Sequence, residues 1–476
     1  MKNIIKILTV CIFAVLGTVS CDLDKYPSDK IEQSQAFKTI EDATAFRNGI
    51  YANLRGRLYG TYTFTTDIQA DLLNATLDYG NRNGMAHKWT PFLADDYTIR
   101  DIWRDTYAVL VNVNNIIENI ESIPTENDED AAKIQKYLGE AYFLRAYYYH
   151  ELVQRFAKDY DPATASSDLG VPLVLVFDVT LLPERASVEQ VYQQINSDLA
   201  AAKTRLAGVA GESDASRFTI DCVAALEARV KLCMHDYTGA ASTAKSLTTS
   251  SAYSLIENEV EFKDMWVNDI STEVIFQYPL SAPNELGNTN NVYLGYKPDI
   301  DKYTPDFVPQ QWVIDLYEEN DIRKSVYFEK KLVHIQGFDY PDIYCVNKYP
   351  GNPALWTEAN TNYQQKPKVF RLAEMYLIQT EALAMAGGKD GEAVAVLNEL
   401  REARGASSLG NLTGDALLQA VKDERTRELM FEGNRLYDLK RWNMGFERKA
   451  PQNMDLIITG ADFNEKRVTA GDNKFV

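Results

Sequence analysis

Through most of the chain the apolar residues recur every three or four positions, the spacing of one face of a helix. Ala43, Phe46, Ile50 and Leu54 open the series behind Thr39, a capping residue. Thr98 caps a run carrying Ile102, Trp103, Tyr107, Leu110, Val113, Asn114 and Ile117. The next carries Leu138, Ala141, Tyr142, Tyr148, Tyr149, Leu152 and Phe156, with Arg145 inside it. Ser187 and Gln190 have capping-box spacing ahead of a helix to Leu206, and Thr219 caps another through Ala225, Ala228 and Leu232. Near the C-terminus Leu372, Met375, Tyr376, Leu383 and Ala386 share a face until Gly387-Gly388. Asp390-Gly391 then starts a helix with Ala393, Val396, Leu397 and Leu400, which Gly405 ends. A last helix is predicted from about Thr413 to Trp442. The predicted helices are thus 40–57, 98–121, 131–157, 187–206, 219–250, 370–404 and 413–442.

The periodicity fails twice. Residues 59–97 hold Asp67, Asp71, Asn74, Tyr79, Trp89, Phe92 and Tyr97 without a sustained helical face, and a stretch this long in a compact domain is usually functional. Residues 258–367 are broken by prolines and decorated with aromatics, among them Tyr293, Tyr296, Tyr303, Trp312, Tyr349 and Trp356. Val274-Ile275-Phe276 reads as a short strand, and Gly170-Val171-Pro172-Leu173-Val174 as an extended piece. The helices show an internal likeness. Glu227-Ala228 precedes a turn at Tyr237-Thr238-Gly239 and then Ala240-Ala241, while Glu381-Ala382 precedes the Asp390-Gly391 turn and Ala393. Both hairpins place small residues where helices cross, and both resemble degenerate tetratricopeptide repeats. The expected fold is mainly α. Tetratricopeptide-like hairpins form a scaffold over about 39–257 and 368–443, and 258–367 is a loop-rich insertion with a few short strands. All of it belongs to one domain spanning 39–476.

The predicted helix at 413–442 carries a regular charge pattern. Glu428, Glu432, Arg435, Asp438 and Arg441 follow at steps of three or four, so opposite charges pair along one stripe. Leu429, Phe431, Leu436, Leu439 and Trp442 are interleaved, which points to an ion network holding the helix against its neighbours; a partner-binding face is the alternative. The residues here are distinctive as a motif. Phe370-Arg371-Leu372-Ala373-Glu374-Met375-Tyr376-Leu377, Glu381-Ala382, Glu424-Arg425, Glu428-Leu429 and Glu432-Gly433-Asn434-Arg435-Leu436-Tyr437-Asp438-Leu439 with Arg441-Trp442 resemble the C-terminal signature of the SusD/RagB family. Phe143-Leu144-Arg145-Ala146-Tyr147-Tyr148-Tyr149 and the Trp103–Tyr107–Asn114 pattern are similar to that family upstream. Its members are nutrient-binding outer-membrane lipoproteins of Bacteroidetes-type bacteria. The resemblance implies a SusC-like TonB-dependent transporter as partner, with this protein as the lid of the barrel.

The N-terminus agrees with that expectation. Lys2 and Lys6 precede an apolar run from Ile7 to Val19, too short to span a bilayer comfortably, and Ser20 precedes Cys21. This junction resembles a bacterial lipobox, so residues 1–20 are expected to be a lipoprotein signal peptide and Cys21 the lipid-attachment site. Residues 21–38 form the tether. Asp22-Leu23-Asp24 look like a surface-export signal, which implies a lipid-anchored protein of the outer membrane facing the cell exterior.

Composition narrows the chemistry. The net charge of −19 argues against nucleic acid, which selects basic surfaces. No phosphate loop, dinucleotide fingerprint, HExxH or GxSxG occurs. His87, His150, His235 and His334 are scattered and offer no metal-ligand spacing, so no metal or cofactor is expected. His150 reads as a packed or surface residue. Cys222 and Cys233 lie roughly 16 Å apart along one predicted helix, too far to bridge. Cys345 is left to pair with one of them or stay free. The absence of a nucleophile–base or two-carboxylate constellation points to binding without catalysis. Flat aromatic rings with polar rims match the C–H faces and hydroxyls of sugars. Tyr79, Trp89, Tyr293, Tyr296 and Trp356 all fall in the two irregular regions and are the ligand-binding candidates. In the resembled family, loops in comparable places form the ligand face. The expected function is capture of a nutrient, an oligosaccharide or polysaccharide, for a SusC-like transporter. A peptide-binding SusD-like protein and a helical-repeat protein scaffold are the alternatives.

Overall fold

The computed structural model describes residues 36–471, apart from 59, 81, 91–92, 179, 281–291, 358–362 and 464. The predicted signal, Cys21 and most of the tether lie outside the described residues. The protein is mainly α, as its periodicity implies. The first helix, α1 (Ile40–Arg57), starts at Thr39, whose side chain accepts from the Asp42 amide in a full capping box. Ahead of it, Phe37 stacks on Phe46 at 4.1 Å. Next come α2 (Thr61–Gln69), β1 (Leu73–Ala75) and α3 (Gly84–Lys88), all in the region expected to be irregular. They are short, and among the described residues no side chain caps the start of α2 or α3, so no start signal marked them. Helix α4 (Tyr97–Asn119) is capped by Asp96, which accepts from the Thr98 amide; the expected cap, Thr98, sits inside the first turn.

The long α5 (Asp128–Phe156) packs against α1 and α4 and, most extensively, against α6 (Val188–Leu206). Its Arg145 explains itself here. The guanidinium gives hydrogen bonds of 2.9 and 2.7 Å to Asp198 of α6 and 3.0 Å to Asn114 of α4. Asn114 and Tyr149 both donate to the Val174 carbonyl at 2.8 Å, which clamps the segment after β2 (Leu169–Pro172). That strand pairs with β3 (Arg185–Ser187), and Ser187 with Gln190 forms the expected capping box of α6.

The two sequence-similar hairpins pack together. α7 (Ile220–Cys233) and α8 (Tyr237–Thr248) form one, with buried Ala240, Ala241 and Ala244 at the crossing. Beyond α9 (Glu259–Val267) and β4 (Val274–Gln277) lies the bulk of the insertion, and then the second hairpin. The insertion carries β5 (Tyr296–Lys297), β6 (Lys302–Tyr303), β7 (Phe307–Pro309), α10 (Gln311–Asp315), α11 (Ile322–Tyr327), β8 (Phe328–Ile335) and β9 (Phe338–Val346). It therefore holds more regular structure than its proline content suggested. Strand β10 (Lys368–Arg371) pairs antiparallel with β4 and leads into α12 (Leu372–Ala386) and α13 (Asp390–Ala403). α12 is buried along almost its whole length and contacts α8, α13 and α14 (Gly414–Leu429), so it forms the spine of the C-terminal half. Cys222, Cys233 and Cys345 are all buried free thiols.

The predicted helix 413–442 is two helices. α14 ends at Leu429 and α15 (Arg435–Arg441) follows after a break. In the break Phe431 has φ 63° and Gly433 φ 80°, left-handed values that end a helix. Phe431 tolerates its strained backbone because its fully buried ring packs on Tyr293 and Phe328. The Gly433 N–H donates to Asp67 of α2 at 2.9 Å. The expected charge stripe is corrected accordingly. Apart from Asp438, which binds Arg441 and Arg425 of the same predicted segment, these charges pair outside it. Glu428 receives Arg323, Arg371 and Arg404; Glu432 receives Arg371 and Lys348; Arg435 reaches Asp71, and Arg441 reaches Glu381. The expectation of an ion network holds, with tertiary partners in place of neighbours along one helix.

Candidate functional site

The two irregular regions meet in space. β1 pairs antiparallel with β7, matching Leu73 with Pro309 and Ala75 with Phe307. The Thr76 hydroxyl donates to the Pro305 carbonyl at 2.8 Å, and Arg82 pairs with Asp306. Phe64, Ile68, Leu72 and Leu73 share one apolar cluster with Phe307, Val313, Tyr327 and Phe328. The insertion is thereby seated on the N-terminal region, with β11 (Phe446–Glu447) and β12 (Arg467–Val468) adding a short C-terminal pair beside it.

Three of the five aromatic candidates are part of that seat. Trp89 is 1% exposed, stacks edge-on against Phe446, and donates its indole N–H to the Gln69 carbonyl at 2.7 Å. Tyr293 is fully buried between Phe64 and Phe431. Tyr79 is 9% exposed and lies against Phe307 and Phe463. Their ring faces are occupied by protein. Tyr296 and Trp356 differ: both are half-buried. Trp356 follows a 3₁₀ turn at Pro353–Leu355, and its indole nitrogen is buried without a hydrogen-bond partner.

Tyr296 belongs to a row that depends on strand register. The four-stranded sheet runs β5-β6-β8-β9. Tyr296 lies opposite Tyr303, Tyr303 opposite Val333, and Val333 opposite Tyr340. Residues directly opposite share a face, so these four side chains form one line across the sheet. Val333 is fully buried at its centre, and the three tyrosines flank it half-exposed. The Tyr296 and Tyr303 ring centroids are 5.1 Å apart, and the Lys331 ammonium lies 4.8 Å from the Tyr303 ring centroid. Each outer phenol is oriented. The Tyr296 hydroxyl donates to Asp301 at 2.7 Å and the Tyr340 hydroxyl to the Asp455 carbonyl at 3.3 Å. The bond to Asp301 pushes the Tyr296 phenol above its ordinary pKa. The opposite face of the sheet carries Lys302, His334 and Asp339. Hydrogen bonds from Lys302, then His334, hold the Asp339 carboxyl below the usual range. Tyr303 stands among the aromatics of the insertion but not among the ligand candidates, and Tyr340 is in neither group; the alternation Phe338-Asp339-Tyr340 was the available signal, but register needed the fold.

The row sets three half-exposed phenols, packed on an apolar cluster, side by side, and aromatic groups with polar tips suit a neutral polyhydroxylated chain. Among the described residues no group of three His, Cys, Asp or Glu side chains is placed to hold a metal ion. His87 and His150 are buried; burial holds His87 well below the ordinary histidine range and His150 at about 3.

Comparison with known proteins gives the same family at both ends of the chain. Residues 23–232 match a family model described as starch-binding and associating with the outer membrane, and residues 338–473 match the SusD family model. Two SusD-like proteins of Formosa agariphila are 25% and 27% identical, over 95% and 93% of this chain and 94% and 92% of their own lengths. A SusD superfamily protein of Bacteroides thetaiotaomicron superposes with a TM-score of 0.79 at 24% identity, covering 92% of this chain and 95% of its own. A laminarin-binding SusD-like protein superposes at 0.66 with 23% identity, over 85% of this chain and 92% of its own. No helix among the described residues is long and apolar enough to cross a membrane. The chain belongs to the SusD family, a family of carbohydrate-binding, non-enzymatic proteins associated with the outer membrane.

Proposed function

We propose that this protein is a cell-surface lipoprotein that binds an oligosaccharide or polysaccharide and delivers it to a SusC-like TonB-dependent transporter, acting as its lid. The observation that carries the glycan reading is the Tyr296–Tyr303–Tyr340 row, half-exposed on one face of the insertion sheet. The laminarin-binding relative supports the ligand class. Tyr79, Trp89 and Tyr293 pack within the apolar clusters that seat the insertion, and Trp356 remains a contact candidate. The anchor reading rests on Ser20-Cys21 and on the outer-membrane description of the matched family. Residues 39–476 act as one domain, with the tether at 21–38 holding it at the membrane and raising its effective concentration near a barrel.

Affinity electrophoresis or titration calorimetry against laminarin, starch, xylan and mannan tests the ligand. Saturable binding to at least one is expected, with no product released; hydrolysis by the purified protein refutes the reading. Recovery of the tagged lipoprotein from its native membrane in mild detergent tests the lid. A barrel at comparable stoichiometry is expected, and recovery of the lipoprotein alone counts against it.

A further inference from the structure

The middle of the helical body carries polar stripes where apolar ones cost least. On α5, Tyr147, His150, Glu151 and Gln154 lie three or four residues apart and share a face. On α15 and its N-cap, Asn434, Tyr437, Asp438 and Arg441 follow at the same spacing. All eight line one cavity of about 150 Å³, together with Arg229 of α7 and Glu374 of α12. A smaller one of about 30 Å³ shares Tyr147, Glu151 and Tyr437 with it and extends it toward Ile102 and Phe156.

Most charges in the wall are already matched. Arg229 binds Glu374, Arg425 gives Asp438 hydrogen bonds of 2.8 and 2.7 Å, Lys368 binds Asp269 at 2.8 Å, and Arg441 binds Glu381. What remains is a mixed set. No hydrogen bond from a described residue reaches the Glu151 carboxylate or the Tyr147 hydroxyl. The buried Nδ1 of His150, Nη1 of Arg425 and Nε1 of Trp266 have no partner either. The three nitrogens are costly unless something satisfies them, whereas Glu151 is half-buried and its carboxylate stays open to the cavity. The groups that open onto the cavity are an acceptor, Glu151, and a phenol able to act either way, Tyr147, and hydroxyl groups match both kinds. An anion would face Glu151 and a cation would face Arg425, so a neutral ligand fits better. Burial supports this: it raises the Glu151 carboxyl and holds His150 neutral. A cavity of about 150 Å³ has room for several water molecules or one small polyol.

We infer that this cavity is a second binding site, for a small neutral polyhydroxylated molecule no larger than one sugar unit, separate from the tyrosine row of the insertion sheet. Titration of the full protein with glycerol, xylose, glucose, galactose and mannose tests it. Saturable one-to-one binding of at least one probe is expected, weakened about tenfold by Glu151→Gln or Tyr147→Phe, each of which removes one hydrogen-bonding partner with little change of shape. The double variant Tyr296→Ala/Tyr340→Ala should leave it unchanged. Loss of monosaccharide binding in that double variant places the probe on the sheet and overturns the inference. So does the absence of saturable binding by wild type, or full binding in both cavity variants. Wild-type crystals soaked in the best probe give a check that needs no variant: density for the probe between α5 and α15 is expected, and water alone there overturns the site. Polysaccharide binding is scored separately, so failure of the glycan reading and failure of the cavity site are distinguishable.

Discussion

Arg404 and Glu273, 131 positions apart, face each other through hydrogen bonds of 2.8 and 2.9 Å with both side chains fully buried. The same guanidinium reaches Glu428, which also receives Arg323 and Arg371. Three arginines, with Arg404 foremost, hold the Glu428 carboxyl well below the usual range against the opposing effect of burial. A buried ion network adds little net stability over an apolar core, but deleting one member strands the others. Glu428→Ala is therefore expected to cost about 3–5 kcal/mol, read as a lower denaturant midpoint. A loss below about 1 kcal/mol, the level of an exposed pair, would refute the role assigned to Glu428.

Two buried carboxylates make stability respond to pH in opposite directions. Burial pushes Asp67 up to about 7, far above the unfolded value of about 3.9. The folded state then binds more protons between about pH 4 and 7, so stability falls as pH rises through that window. Glu428 is depressed, so its contribution is present above about pH 4.3 and is lost as pH falls through its folded value. Asp67→Asn is expected to raise the urea midpoint near pH 8 and to flatten the profile between about pH 4.5 and 7.5. Parallel profiles for the two proteins would assign the slope to another group.

Ligand contact and core packing separate in the aromatic variants. Tyr296→Ala and Tyr340→Ala should weaken glycan binding by about tenfold to a hundredfold while barely moving the melting temperature. Trp89→Ala should instead cost about 3–5 kcal/mol, because its indole fills a closed site against Phe446. A Trp89→Ala protein that melts normally yet fails to bind would move Trp89 back to the ligand.

Cys21→Ala is expected to shift the protein from the membrane fraction to the soluble one. Acyl labelling of wild type is the companion measurement, and unchanged fractionation with no label refutes the anchor.

Much of the helical body was legible because caps and periodicity are local. Thr39 and Ser187 form the boxes their spacing predicts, and the helix behind Thr219 also starts there. The break at 430–434 was not, since Phe431 reads as a good helical core residue. Its strained backbone is held by Tyr293 and Phe328, partners more than 100 residues upstream. The binding row was half legible for a related reason. Tyr296 stood out as an aromatic in an irregular stretch, but so did Tyr293, and only pairing with Tyr303 tells which of them faces out. Aromatic content marks a region; register and tertiary contact decide which rings it shows.

The antiparallel pairing of Val274–Gln277 with Lys368–Arg371 sets the start and finish of the insertion side by side on the scaffold. Everything from 278 to 367 is thus an excursion with a closed stem. The entropy of closing such an excursion grows only slowly with its length, so residues can be added or removed beyond the stem at little cost to the helices beneath. The inner layer, with Phe307, Tyr327 and Phe328, is committed to the shared apolar cluster. The outer sheet has an apolar cluster of its own, in which Val333, Ile335, Ile343 and Cys345 meet Leu456 and Ile457, so only its outward side chains, such as Phe338 at 67% exposure, are free of such commitment. Those outward side chains can therefore be exchanged between relatives on a retained stem, which would let one scaffold be refitted for a different nutrient.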